Sequence, residues 1–141
     1  MALLTDDEAM AFVADRHWGV LVTLKQSDGR PQLSNVAYAV IDGRVRVSVT
    51  DDRAKTANLR RDPRVALHVT SDDFWTYVVA EGDAELSPVA ADPDDDTATA
   101  LLELYTAVAG DHDDPATFRR DMVREGRLQV SFAPSGLYPT R

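Results

Sequence analysis

Cysteine is absent from the chain. Disulfides, thiolate metal sites and cysteine nucleophiles are therefore excluded. The absence is compatible with the cytosol, and cytoplasmic placement is the expectation. No apolar run is long enough to span a bilayer. The first eight residues, Met1 to Glu8, show no basic stretch followed by an apolar one, so no secretory leader is expected. Histidine is scarce. His17, His68 and His112 lack His-x-x-x-His or Glu-x-x-His spacing, so no metal site is expected. Gly-x-Ser-x-Gly, Walker and Rossmann glycine motifs are also missing. The acidic run Asp92 to Asp96 lacks the EF-hand order and reads as helix capping.

Positive charge is in deficit. Fifteen Lys and Arg face 24 Asp and Glu, a net charge of −9. That balance argues against general nucleic-acid binding and against an anionic membrane surface. The basic residues are nevertheless concentrated. Arg53, Lys55, Arg60, Arg61 and Arg64 all fall in one short stretch. A local positive site in an acidic chain suits a small anionic ligand better than a polymer.

What remains is an ordinary globular composition in 141 residues, enough for a single domain, 1–141. Thr5 and Glu8 form a capping box ahead of a helix over Ala9 to Asp15. Strands are predicted at Trp18–Leu24, Gln32–Ile41, Arg44–Thr50, Val65–Thr70, Phe74–Ala80 (continuing past Gly82 to about Ser87) and Arg127–Ala133. Asp42-Gly43 is a hairpin turn. Helices are predicted over Asp51–Asp62, Thr97–Ala109 and Pro115–Arg124, and Pro134 to Arg141 reads as a tail. Some six strands joined by short turns indicate a mainly β fold, an antiparallel barrel with peripheral helices.

Three segments can carry chemistry. At Thr50–Asp62 a strand passes into a helix, whose free N–H groups and dipole suit an anion. Arg53 and Lys55 sit at its positive end, where a cation costs about 0.3–1 kcal/mol. A bound phosphate reverses that sign; equally, Asp51 and Asp52 can cap the helix and pair with Arg53. In the second segment Gln32, Ser34 and Asn35 are polar groups within a strand. They suit the edge of a planar ring or simply an outward face. In the third, Trp75 and Tyr77 share one strand face, to cover a ring, fill a subunit interface or pack a core.

Residues 29–36 (Gly-Arg-Pro-Gln-Leu-Ser-Asn-Val), 53–64 (Arg-Ala-Lys-Thr-Ala-Asn-Leu-Arg-Arg-Asp-Pro-Arg) and 75–82 (Trp-Thr-Tyr-Val-Val-Ala-Glu-Gly) together resemble the pyridoxamine 5′-phosphate oxidase-like superfamily. Within it the chain is similar to the actinobacterial branch that uses the deazaflavin coenzyme F420. The resemblance implies a six-stranded FMN-binding split barrel, a homodimer, and two cofactors at the subunit interface. By it, Arg53 and Lys55 hold the cofactor phosphate, with Thr56 and Asn58 nearby. Gln32, Ser34 and Asn35, with Ser48, Val49 and Thr50, line the ring and ribityl chain. Trp75 and Tyr77 come from the partner subunit. Arg60 and Arg61 past Lys55, with Arg64 after Pro63, are surplus charge for the coenzyme's glutamate tail, unless Arg60 and Arg61 simply complement the helix C-terminus; Arg61 shares a helix face with Asn58. The function implied is hydride transfer between F420 and a small organic substrate. An FMN oxidoreductase and a non-catalytic flavin or deazaflavin carrier are the alternatives. No side chain stands out as a proton donor, and the catalytic residue is unassigned.

Overall fold

A computed structural model describes residues 3–141; Met1 and Ala2 of the N-terminal segment lie outside the described residues. Two antiparallel sheets face each other across one core. The first has five strands in the order β2-β1-β5-β6-β9. These are β1 (Trp18–Leu24), β2 (Pro31–Ala37), β5 (Arg64–Thr70), β6 (Tyr77–Asp83) and β9 (Gly136–Tyr138). The second has the order β3-β4-β8-β7. Its strands are β3 (Ala39–Ile41), β4 (Arg44–Thr50), β7 (Glu85–Leu86) and β8 (Arg127–Phe132). The helices are α1 (Asp6–Ala14), α2 (Ala54–Arg61), α3 (Asp96–Ala109) and α4 (Pro115–Arg124).

Alternation explains the core. Leu21, Leu67, Val69, Val78 and Ala80 point inward from the first sheet. Val45, Val47, Val49, Leu128, Val130 and Phe132 meet them from the second. Each such side chain contributes about 1.5–3 kcal/mol on burial. Ala9 and Val13 of α1 and Leu59 of α2 close the ends. The predicted capping box is present, with Thr5 Oγ1 accepting from the Glu8 N–H at 3.2 Å.

Among the predicted strands and the tail, three elements differ from the structure. The strand predicted over Gln32–Ile41 breaks at Tyr38, where the chain leaves one sheet for the other. Tyr38 is fully buried there, and its hydroxyl donates to the Val13 carbonyl at 2.6 Å. The strand predicted from Phe74 starts at Tyr77. Asp73 instead holds a turn, accepting from Ser71 Oγ at 2.6 Å and from the Trp75 N–H at 3.1 Å, with Phe74 left-handed at φ 79°. Its continuation to Ser87 changes sheet at Ala84, between β6 and β7. The C-terminal segment is no bare tail, because Gly136–Tyr138 pairs with the otherwise open edge of β6.

The two inner faces close tightly at Gly82. A Cβ there would stand 2.8 Å from Phe132 Cδ2 and 3.0 Å from the Ala133 carbonyl oxygen. Among the described residues no helix is long and apolar enough to cross a membrane.

Candidate functional site: a cation cluster at the start of α2

The β4–α2 junction is built by its backbone partners. The Asp51 N–H donates to the Gly126 carbonyl at 2.9 Å, which ties the end of β4 to the start of β8. Thr50 lies opposite Arg127 in the β4–β8 register, and Ser48 lies opposite Gln129. The helix starts at Ala54, three residues later than predicted, with Arg53 as an extended N-cap whose side chain makes no capping bond. Asp51 and Asp52 do not cap it. Asp51 Oδ1 instead receives Arg60 Nη2 at 2.6 Å, and Asp52 Oδ1 accepts from Thr50 Oγ1 at 2.8 Å. The orphan N–H groups of the first turn are thus left without a side-chain cap.

Three cations converge on this end. Lys55 is held below the ordinary lysine range, first by burial, then by the charges of Arg53 and Arg127. Among the described residues neither Arg53 nor Lys55 forms an ion pair. Arg127 is only partly satisfied. Its Nε donates to Glu125 at 3.1 Å and its Nη1 to Ser48 Oγ at 3.3 Å. A cluster of like charges with a desolvated member at a helix N-terminus is electrostatically unfavourable alone. An anion reverses each of these costs. The residues therefore fit a phosphate, held by Arg53 and Lys55 with Arg127 beside them.

Arg127 is not among the residues predicted from sequence. The signal that finds it is the β4–β8 register, a pairing across 77 positions (127 minus 50) that no local pattern encodes.

The structure groups the predicted residues unevenly. Ser48, Thr50, Arg53 and Lys55 gather with Arg127 at the junction. Val49 faces the core and offers only its backbone. Thr56 is buried and donates to the Thr50 carbonyl at 2.7 Å, bracing the junction. Asn58 is buried and donates to Thr23 Oγ1 at 3.1 Å, seating α2 on β1. Arg61 is exposed and donates to the Leu24 carbonyl. Of the other basic residues, Arg60 pairs with Asp51, and Arg64 with Asp62, whose carboxyl it draws down to about 2.

Gln32 and Ser34 stand on the inward face of β2, opposite Thr23 and Leu21, while Asn35 is on the outer face. Trp75 lies in the β5–β6 turn and Tyr77 opens β6, so they do not share one strand face. Tyr77 stacks on His68, with ring centroids 5.2 Å apart. Within one subunit β6 is three strand spacings from β2, roughly 14 Å at the usual separation. Trp75 and Tyr77 therefore do not meet Gln32 and Ser34 in a single chain.

Comparison with known proteins agrees with this architecture. The profile of the pyridoxamine 5′-phosphate oxidase family matches residues 5–131. Among solved structures, the conserved hypothetical protein Rv2991 from Mycobacterium tuberculosis is similar, with 26% identity and a TM-score of 0.74 over 96% of this chain and 83% of that one. An F420 reductase superposes with a TM-score of 0.66 at 23% identity, over 89% and 92% of the two chains. A FAD-binding protein from Mesorhizobium loti does so with 0.68 at 18% identity, over 96% and 92%. At 23% and 18% identity the last two show the fold alone. With the profile covering most of the chain, the protein belongs to the pyridoxamine 5′-phosphate oxidase family, split-barrel oxidoreductases that bind flavin-type cofactors.

Proposed function

We propose that the chain is an oxidoreductase that binds coenzyme F420 and transfers a hydride between it and a small organic substrate. The observation that carries this reading is the pair of cations Arg53 and Lys55, without ion pairs among the described residues, beside Arg127 at the uncapped end of α2. When bound, the deazaflavin supplies the hydride chemistry. Arg53 and Lys55 fix its phosphate, and Ser48 and Thr50 offer hydroxyls along β4. Arg61, exposed beyond them and free of ion pairs among the described residues, is the cation left for an anionic tail. Arg60 and Arg64 already hold Asp51 and Asp62.

The reading includes a homodimer. On the outer face of the five-stranded sheet Val20, Val22, Leu24, Ala66 and Val79 line one shallow recess together with Arg64, His68 and Glu81. Trp18 and Leu33 are 74% and 61% exposed beside them. A largely apolar exposed sheet face of this kind is a surface for a partner. A second copy supplies it, and brings its own Trp75 and Tyr77 towards the first copy's cofactor. The lack of cysteine and the acidic charge fit a cytoplasmic protein without nucleic-acid or membrane partners.

Absorption and fluorescence titrations with F420 and, separately, with FMN test the reading. Saturable binding of F420, tighter with longer glutamate tails and weaker in salt, supports it. Equal or tighter binding of FMN without tail dependence replaces F420 with FMN, which the family's flavin chemistry favours. Binding without turnover of any candidate substrate points to a carrier.

A further inference from the structure

The outer face of the four-stranded sheet is polar although two helices cover it. Arg44, Arg46, Ser48 and Thr50 of β4 point that way, as do Arg127, Gln129 and Ser131 of β8. Beneath α3 and α4, the Arg46 Nε and the Gln129 Oε1 are buried without hydrogen-bond partners. Buried polar groups are normally paired, so a helix pair laid on such a face is a poor fit. The apolar side of the helices is not spent on the sheet either. Leu101 and Met122 form a small cluster of their own with Ala90, apart from the main core.

A recess of about 280 Å³ lies between the two layers. Its walls are apolar and partly aromatic, from Leu104, Tyr105, Val108 and Phe118. Tyr105, Phe118 and His112 form a triangle of rings with centroids 4.9 to 5.3 Å apart. The polar lining is Ser48, Glu125 and Arg127, the last of which belongs to the cation cluster.

We propose that this recess binds an uncharged planar aromatic molecule carrying one hydrogen-bond-accepting oxygen, at a ligand site distinct from the one for the cofactor ring. Its volume lies just below the usual span of ligand sites, about 300–1,000 Å³, which limits the ligand to one or two fused rings. Ring walls favour a flat aromatic body. Arg127 keeps spare N–H donors after serving Ser48 and Glu125, and these select an acceptor oxygen. Glu125 offsets the Arg127 charge at the same place, so a neutral oxygen suits it better than a carboxylate. This binding rests on the recess alone and does not depend on the cofactor reading above.

The test is a titration with 2-naphthol, followed by its own fluorescence, with 2-naphthoate as the charged counterpart. Saturable binding of one 2-naphthol per chain is expected, with 2-naphthoate weaker. Val108→Trp, in the last turn of α3, and Leu104→Trp fill the recess and weaken 2-naphthol about tenfold or more, while F420 titrates as in the parent. In the unaltered protein, Overhauser contacts between 2-naphthol and the Tyr105 and Phe118 rings locate it without any substitution. Lys55→Ala separates the two readings. It is expected to weaken F420 and spare 2-naphthol. No saturable 2-naphthol binding, or binding unaltered in the folded tryptophan variants, or contacts only to Leu33 and Val22 on the opposite sheet, overturns the proposal. Loss of F420 binding alone leaves it standing and overturns only the cofactor reading.

Discussion

The two sheets share one core yet present opposite outer faces. The five-stranded sheet is mostly apolar outside and carries no helix, with Trp18, Leu33 and Tyr138 open to solvent near Val22 and Val79 and with His68 and Glu81 among them. The four-stranded sheet is polar outside and covered, with Arg46, Ser48 and Gln129 under α3 and α4. Hydrophobic burial within one chain favours the reverse arrangement, with helices over the apolar face. On the proposed reading, the apolar face is the one that another copy of the chain covers. The polar face is left for ligands, whose hydrogen-bonding groups its side chains can meet.

The largest effect comes from attacking the bare face. Val22→Glu with Leu33→Glu places charge in the middle of the proposed subunit contact. An uncompensated buried charge costs roughly 3–5 kcal/mol, so the variant is expected to sediment as a monomer with its fold intact. A parent that is already monomeric at micromolar concentration with cofactor bound breaks the comparison on this side.

On the covered side, Arg53→Ala and Lys55→Ala each remove a charge-assisted hydrogen bond worth about 1.5–3 kcal/mol. Cofactor affinity falls about tenfold or more in a titration, and Arg127→Ala behaves likewise. Thermal stability without cofactor is unchanged or higher, since like charges no longer crowd the helix end. Parent-like affinity in all three variants moves the site elsewhere.

At the seam between the faces, Gly82→Ala forces a methyl against Phe132 and the Ala133 carbonyl. The expected loss is about 1–3 kcal/mol, read as a lower denaturation midpoint. An unchanged midpoint means that the sheets close less tightly than the 2.8 Å approach implies.

A smaller, graded effect follows from Lys55. Its pKa is lowered in the folded chain, so in the alkaline range the unfolded state binds more protons there. Stability without cofactor then rises with pH through that range. Affinity for an anion moves the other way, because the neutral amine no longer attracts it. Cofactor Kd measured against pH is expected to rise towards alkaline values, and Lys55→Arg to remove most of that rise. A flat profile in the parent removes Lys55 from the site.

The smallest effect is Gln129→Leu. It deletes an unpartnered buried carbonyl under α3, so stability changes by about 1 kcal/mol or less, towards neutral or better. A large loss by calorimetry means that Gln129 has a partner, such as water, in solution.

Much of this architecture is legible in the sequence because its signals are local. The alternation in Arg44–Thr50, the left-handed Asp42-Gly43 hairpin and the Pro115 helix start lie where their residues say. The changes of sheet at Tyr38 and Ala84 are not legible, since alternation continues across them while the chain changes neighbours. Phe74 and Trp75 look like strand residues, but a short aspartate captures their backbone as a turn. The site divides in the same way. Arg53 and Lys55 announce themselves as cations at a helix start. Arg127 joins them only through strand pairing, and the recess exists only once two distant helices lie on β4 and β8.

Arg127 stands at the boundary of both ligand regions, with a fixed number of N–H groups to distribute. An anion that draws its guanidinium towards Lys55 alters what it can offer at the recess. Whatever factor one ligand imposes on the affinity of the other is returned in equal measure, since binding free energies are reciprocal. If the two proposed ligands are coupled, position 127 is the contact through which each reaches the other.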